Sequence, residues 1–170
     1  MTEPLTLTKL IILYMLDRVE FPLTKAQIFD FVLEKDYANY FTLMQATCEL
    51  TEAHLVEASS THSSTFLTLL DEGRETLKYF QGRISEGIKS DITEYFEANK
   101  MQLHNEVSVS SNYYRVGSGE YVADLSAREN SSDLFRIQMI MPTEDTAKAI
   151  SENWKESCQD IYSYLLEKLL

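Results

Sequence analysis

The residues best placed to do chemistry gather in one short stretch. Asn39, Tyr40, Thr42 and Gln45 stand at the start of an amphipathic segment, and Lys25 lies upstream at the start of another. Asn and Gln carry paired donors and acceptors that match the adenine edge, and threonine can meet a thymine methyl. A lysine near a helix start could touch a phosphate, as could His62 and Ser63 from the polar segment Ser59–Ser64. The same residues have a structural role open to them. Asn39 can cap the helix, Tyr40 can pack, and Thr42 and Gln45 can face water.

Other chemistries find less support. His54, His62 and His104 lack metal-ligand spacing with one another or with Cys48 and Cys158, and Cys48 and His54, six apart, do not share a helix face. A metal site would have to be assembled by the fold. Both cysteines fall among apolar neighbours in expected helices, which suits buried free thiols in a reducing compartment. Gly117-Ser118-Gly119 is a bare GxG, better suited to a hairpin turn than to a phosphate cradle. Trp154, Tyr162 and Tyr164 could line a pocket, though a helix covering a sheet uses such residues for packing. No catalytic residue, metal or cofactor is expected, and the chain does not read as an enzyme.

Charge sets a severe condition on any nucleic-acid reading. The 170 residues carry a formal net charge of −12, with no Lys or Arg between Lys35 and Arg74. The deficit is even: six Lys/Arg against twelve Asp/Glu up to Phe80, and nine against fifteen beyond it. Neither half supplies the basic face that a polyanion needs. Glu49, Glu52 and Glu57 would stand beside the groove. The apolar run Leu10–Leu16 has no basic leader and is too short to span a bilayer, so a cytoplasmic protein without membrane contact is expected.

Hydrophobic periodicity gives the elements that hold these residues. Thr8–Val19 predicts a helix apolar on most sides, hence buried. Pro22 breaks the chain, Thr24 and Gln27 form a capping-box pattern, and Thr24–Lys35 predicts a helix with Ile28, Phe29, Val32 and Leu33 on one face. A third helix follows from Tyr40 to Ala53, with Leu43, Thr47 and Leu50 inward beside Met44 and Cys48. "HLVEASS" and "STFLTLL" predict two strands, and "DEGRETLKYF" a fourth helix with Asp71 as cap. Arg83–Asn99 predicts a further helix. From Met101 the period becomes two, which predicts three strands turning at "VGSGE" and "ENSSD". Their odd-numbered apolar face needs a cover. Ala147, Ile150, Trp154, Cys158, Ile161, Leu165 and Leu169, after a Thr143 cap, supply it.

The segment "FLTLLDEGRETL" resembles the wing-exit signature of PadR-like and MarR-like regulators. The whole chain resembles a Gram-positive bacterial family of unknown function with a PadR-like winged helix in front. The matching pieces are "ILYMLDRVEFPLTKAQIFDFVLEKDYANYFTL", the wing exit and "MPTEDTAKAISENW". The resemblance implies an α+β protein: a winged helix-turn-helix over residues 1–80, a connecting helix over 81–100, and a three-stranded antiparallel meander on a long C-terminal helix over 101–170. It also implies a transcription regulator that meets duplex DNA through Lys25, Asn39, Tyr40, Thr42, Gln45, His62 and Ser63, as a homodimer. The alternative, from another class, is a winged-helix interaction module whose acidic head docks on a basic protein surface. A small-molecule sensor in the C-terminal part is compatible with either.

Overall fold

The computed structural model describes residues 3–129 and 132–170, with the backbone alone described at residues 3, 101, 102, 104–107 and 129. The fold is α+β. Its elements are α1 (Glu3–Asp17), β1 (Leu23–Thr24), α2 (Lys25–Glu34), α3 (Tyr40–Glu52), β2 (Val56–Ser60), β3 (Thr65–Leu69), α4 (Asp71–Phe80), α5 (Glu86–Ser108), β4 (Val109–Arg115), β5 (Tyr121–Glu129), β6 (Ser132–Met141) and α6 (Glu144–Leu169), with a 3-10 turn at Gln81–Arg83. They fall into two compact units, residues 1–60 with 64–104, and residues 61–63 with 105–170. Among the described residues, no helix is long and apolar enough to cross a membrane.

The first unit is built around α1. Leu10 to Leu16 are all at most 4% exposed, because "LIILYML" offers no polar face to turn outward. Ile28, Phe31 and Val32 of α2 and Leu43, Ala46 and Leu50 of α3 join this core. β1, β3 and β2 form an antiparallel sheet in that order, with Leu23 opposite Leu67 and Val56 opposite Leu69. Thr24 caps α2 in a full capping box with Gln27, as their spacing predicts.

The second unit is an antiparallel sheet in the order β4-β5-β6, crossed by α6. Odd residues pair with odd residues throughout β4 and along β5–β6 up to a register shift at Ala127/Arg128, so one face is apolar: Leu125 and Ala127 pack with Trp154 and Cys158. Trp154 Nε1 donates to Ser126 O at 3.1 Å, and Phe135 sits between Trp154 and Tyr162 at centroid distances of 5.5 and 5.2 Å. Thr143 caps α6 through the Thr146 N–H. The turn at "VGSGE" closes with Val116 N–H donating to Glu120 O, and Gly119 takes φ 87° there. Of the "ENSSD" turn, residues 130 and 131 lie outside the described residues.

Several expectations are corrected. α1 begins at Glu3 and ends at Asp17, and α5 starts at Glu86 and runs helically to Ser108. The alternation from Met101 is therefore not a strand until Val109. Leu103 and Val107 stand four apart, a helical spacing, and continuation of an established helix adds a backbone bond per residue without a new nucleus. Leu70, not Asp71, is the N-cap of α4, and it makes no side-chain cap bond; Asp71 and Glu72 occupy the first turn. Leu33 is 40% exposed and Cys48 is exposed, and the α6 stripe ends before Leu169, which is 79% exposed.

Gly73 is the tightest point of the first unit. A Cβ there would lie 2.1 Å from Leu55 O, the same oxygen that accepts from Leu70 N–H at 3.1 Å. A backbone oxygen tied into a hydrogen bond cannot yield. Gly73→Ala is expected to destabilise the protein by about 3 kcal/mol. Gly87→Ala, where the nearest atom is 3.9 Å away, should be neutral or mildly stabilising. Parallel thermal unfolding of the two variants checks the contrast.

Candidate functional site

The outward side of α3 is held in place at both ends by helix-stop geometry. α2 closes with Asp36 in the left-handed region (φ 56°): Asp36 N–H donates to Leu33 O at 3.1 Å and Tyr37 N–H to Val32 O at 3.0 Å. This is the Schellman pattern. α3 closes the same way through His54 (φ 56°), whose N–H donates to Thr51 O while Leu55 N–H donates to Leu50 O. His54, considered above as a possible ligand, is thus a helix-stop residue. The α2–α3 turn is also tied to α5, where the Tyr37 hydroxyl donates to Asp91 and Lys35 stands 3.6 Å from the same carboxylate. Burial, and next the hydrogen bond to Asp91, push the Tyr37 phenol up to about 12, so it stays a proton donor at neutral pH.

Within this frame the predicted contact residues have specific occupations. Asn39 Oδ1 accepts from Thr42 N–H at 2.9 Å and from Thr42 Oγ1 at 3.0 Å. Tyr40 is 53% exposed and leans edge-on against Phe29 at 5.7 Å. Lys25 Nζ lies 5.2 Å from the Phe29 ring centroid. Gln45 is exposed and donates to Glu49 Oε1 at 2.8 Å, while Lys9 pairs with the other oxygen of Glu49. Lys9 first, and Gln45 second, hold the Glu49 carboxyl below its ordinary value. Lys25, Asn39, Tyr40, Thr42 and Gln45 therefore all belong to the first unit, on α2, α3 and the turn between them. His62 and Ser63 belong to the second. There His62 N–H donates to Asn112 Oδ1 at 3.2 Å with its ring 4.2 Å from Tyr113, and Ser63 N–H donates to Thr61 Oγ1 at 3.4 Å.

Sequence reasoning missed the apolar part of this face. Phe41 is 84% exposed and Met44 38%. With Cys48 and Glu52 they follow helical spacing along the solvent side of α3, so the stripe runs from aromatic to acidic. The signal was available: Phe41 falls on the same side as Gln45, opposite Leu43 and Leu50. Cys48 Sγ lies 3.4 Å from Glu52 Oε1. The hydrogen bond to Glu52, and then its charge, push the thiol up from its ordinary value.

Elsewhere, the outer face of β4-β5-β6 holds an open polar groove of about 280 Å³ lined in part by Ser110, Asp124, Ser126, Arg128, Asp133 and Arg136. Its opposite charges are matched to each other. Arg136 grips Asp124 through two nitrogens, Nε at 2.7 Å, and holds that carboxyl below its usual range. Arg128 Nε is 2.7 Å from Asp133. Among the described residues, no group of three or more His, Cys, Asp or Glu is placed to hold a metal ion.

Two outcomes follow. Asn39→Ala removes the side-chain cap of α3 and should cost about 1 kcal/mol in urea unfolding. Only Cys48 should react with a thiol alkylating agent in the native protein, since Cys158 is buried. Because Glu52 raises the thiol's pKa, little thiolate is present at pH 8; Glu52→Gln should speed alkylation there and move its pH profile downward.

No curated protein and no solved structure matches the chain. A family profile does, over residues 8–169, nearly its whole length. The chain belongs to the domain-of-unknown-function family DUF4364.

Proposed function

We propose that the first unit is a winged-helix module whose α3 face docks on a basic protein surface. The order helix, short strand, helix, helix and two-stranded ribbon, with β1 paired to β3, supports the winged-helix reading. The observation that carries the partner class is the solvent side of α3: Tyr40, Phe41 and Met44 exposed, then Glu49 and Glu52, and no Lys or Arg from 36 to 73. Exposed aromatic and thioether side chains beside carboxylates suit a partner that brings apolar pockets rimmed by cations.

Duplex DNA is the competing reading, and the energetics weigh against it. Affinity for DNA grows mainly by neutralising phosphates, each contributing about 0.9 to the salt slope. The first unit has nine Lys/Arg against sixteen Asp/Glu. Lys9, Lys35, Arg74, Lys78 and Lys89 are all paired with carboxylates. Apart from the part-buried Lys9–Glu49 pair, such surface pairs are worth at most about 1 kcal/mol and break readily, but each released carboxylate then repels the phosphate that displaced it. Asn39 would also have to release its cap, which occupies Oδ1, to pair with an adenine edge through both side-chain atoms.

Titration of mixed duplexes at low ionic strength tests this directly, with an amphipathic Lys/Leu peptide as the parallel probe. Saturable peptide binding that is lost in Phe41→Ser and weakened in Glu52→Gln, with no duplex retardation, is expected. Duplex binding that Lys25→Ala weakens for every sequence, and Gln45→Ala at particular base pairs, would establish the DNA reading instead.

A further inference from the structure

The apolar face of the second unit is covered unevenly. α6 lies across β4 and β5 and touches little of β6. A helix about 10 Å wide spans roughly two strands at ~4.8 Å spacing, so a three-stranded sheet leaves one strand short of cover. Ala123 on the central strand is fully buried, while Met139, paired opposite it, is 39% exposed. On the other face of β6, Leu134 is 43% and Ile140 63% exposed. Among the described residues β6 has no strand on its outer side.

Edge strands are ordinarily guarded by proline, by lysine or by shortness. β6, "SDLFRIQMIM", is ten residues long without proline or lysine, and its one irregularity, the register shift that leaves Leu134 as an extra residue, lies near its start. Its one cation, Arg136, is turned onto Asp124 of β5. The alternate backbone N–H and C=O groups that do not face β5, flanked by apolar side chains on both faces, therefore stand open.

The strand is also close to a palindrome about Ile137. Two copies pairing antiparallel about a two-fold axis must centre on a residue, since directly opposite side chains share a face. Centred on Ile137, Arg136 meets Gln138 of the second copy, Phe135 meets Met139, and Leu134 meets Ile140. Apolar faces apolar at the Phe135–Met139 and Leu134–Ile140 positions, one on each side of the sheet; Asp133 meets Met141 only at the fringe, and no like charges meet. Centring on Arg136 sets guanidinium against guanidinium, and centring on Gln138 sets Arg136 against Ile140. We propose that β6 pairs with β6 of a second copy of this chain, antiparallel and centred on Ile137, joining the two three-stranded sheets edge to edge. Phe135 of each copy then lies beside the exposed Met139 of the other. This surface is independent of the α3 face.

Sedimentation of the full chain across micromolar concentrations tests the pairing. The unaltered protein is expected at twice the chain mass. Leu134→Lys with Ile140→Lys, both on the exposed outer face, sets lysines opposite each other at two places and should give the monomer mass with an unchanged circular-dichroism spectrum. Leu134→Glu with Ile140→Lys sets opposite charges together only in the Ile137-centred register, and should keep the dimer. A wild-type chain that is monomeric throughout, or a dimer that survives the double-lysine change, overturns the pairing. A charge-swapped chain that is monomeric overturns the register, and it decides alone if the double-lysine chain fails to fold.

Discussion

The first unit depends on one constraint: from Leu10 to Leu16, α1 has no side that water can wet. Ile11, Ile12, Leu13, Tyr14, Met15 and Leu16 follow one another without a polar break, and all are buried. A helix of this kind must be enclosed, and α3, α4 and β3 pack against it. Leu43, Ala46, Thr47 and Leu50 are thereby drawn inward, and the opposite side of α3 is left as surface. The close approach of Gly73 to Leu55 O belongs to the same enclosure, because it brings the start of α4 against the end of α3. What α3 shows to solvent is a consequence of what α1 hides.

Electrostatics in this protein are mostly local. Five cations of the first unit are paired with carboxylates, and in the second Arg128 and Arg136 are matched to Asp133 and Asp124. The remaining acids are a solvated excess, not a cluster. Such a surface repels polyanions at long range, yet it leaves apolar side chains free to make short-range contacts. Two exposed apolar features, the Phe41 end of α3 and the β6 edge, are therefore places where association free energy can be gained. They differ in kind. The first is a protruding side-chain patch, and the second is an open backbone ladder with side chains matched about its centre.

Much of this was legible in the residues. The capping box at Thr24 and Gln27, the Asn39 start of α3, the ribbon of β2 and β3, and the odd-numbered apolar face of β4, β5 and β6 rest on local chemistry or strict periodicity. So do the Thr143 cap and the Trp154 stripe. Local rules act within a few residues, and a few residues are what the chain displays directly. The failures were also physical. Residues 101–108 alternate as a strand would, and continuation of α5 overrode that short pattern. Leu33, Cys48 and Leu169 lie on stripes that a packing partner could have covered, and none does. The left-handed stops at Asp36 and His54 are unmarked by glycine, the usual sign of that conformation.

By itself, then, the sequence determined an α+β chain, most of its caps and strands, and a net negative charge, because composition and periodicity need no long-range contact to act. Only the tertiary structure decided that Lys9 reaches Glu49, that Phe41 stands in solvent, and that β6 lacks a neighbour among the described residues. Each of those depends on which surfaces remain after distant segments have packed, and that remainder is set by the enclosure of α1 and by the width of α6.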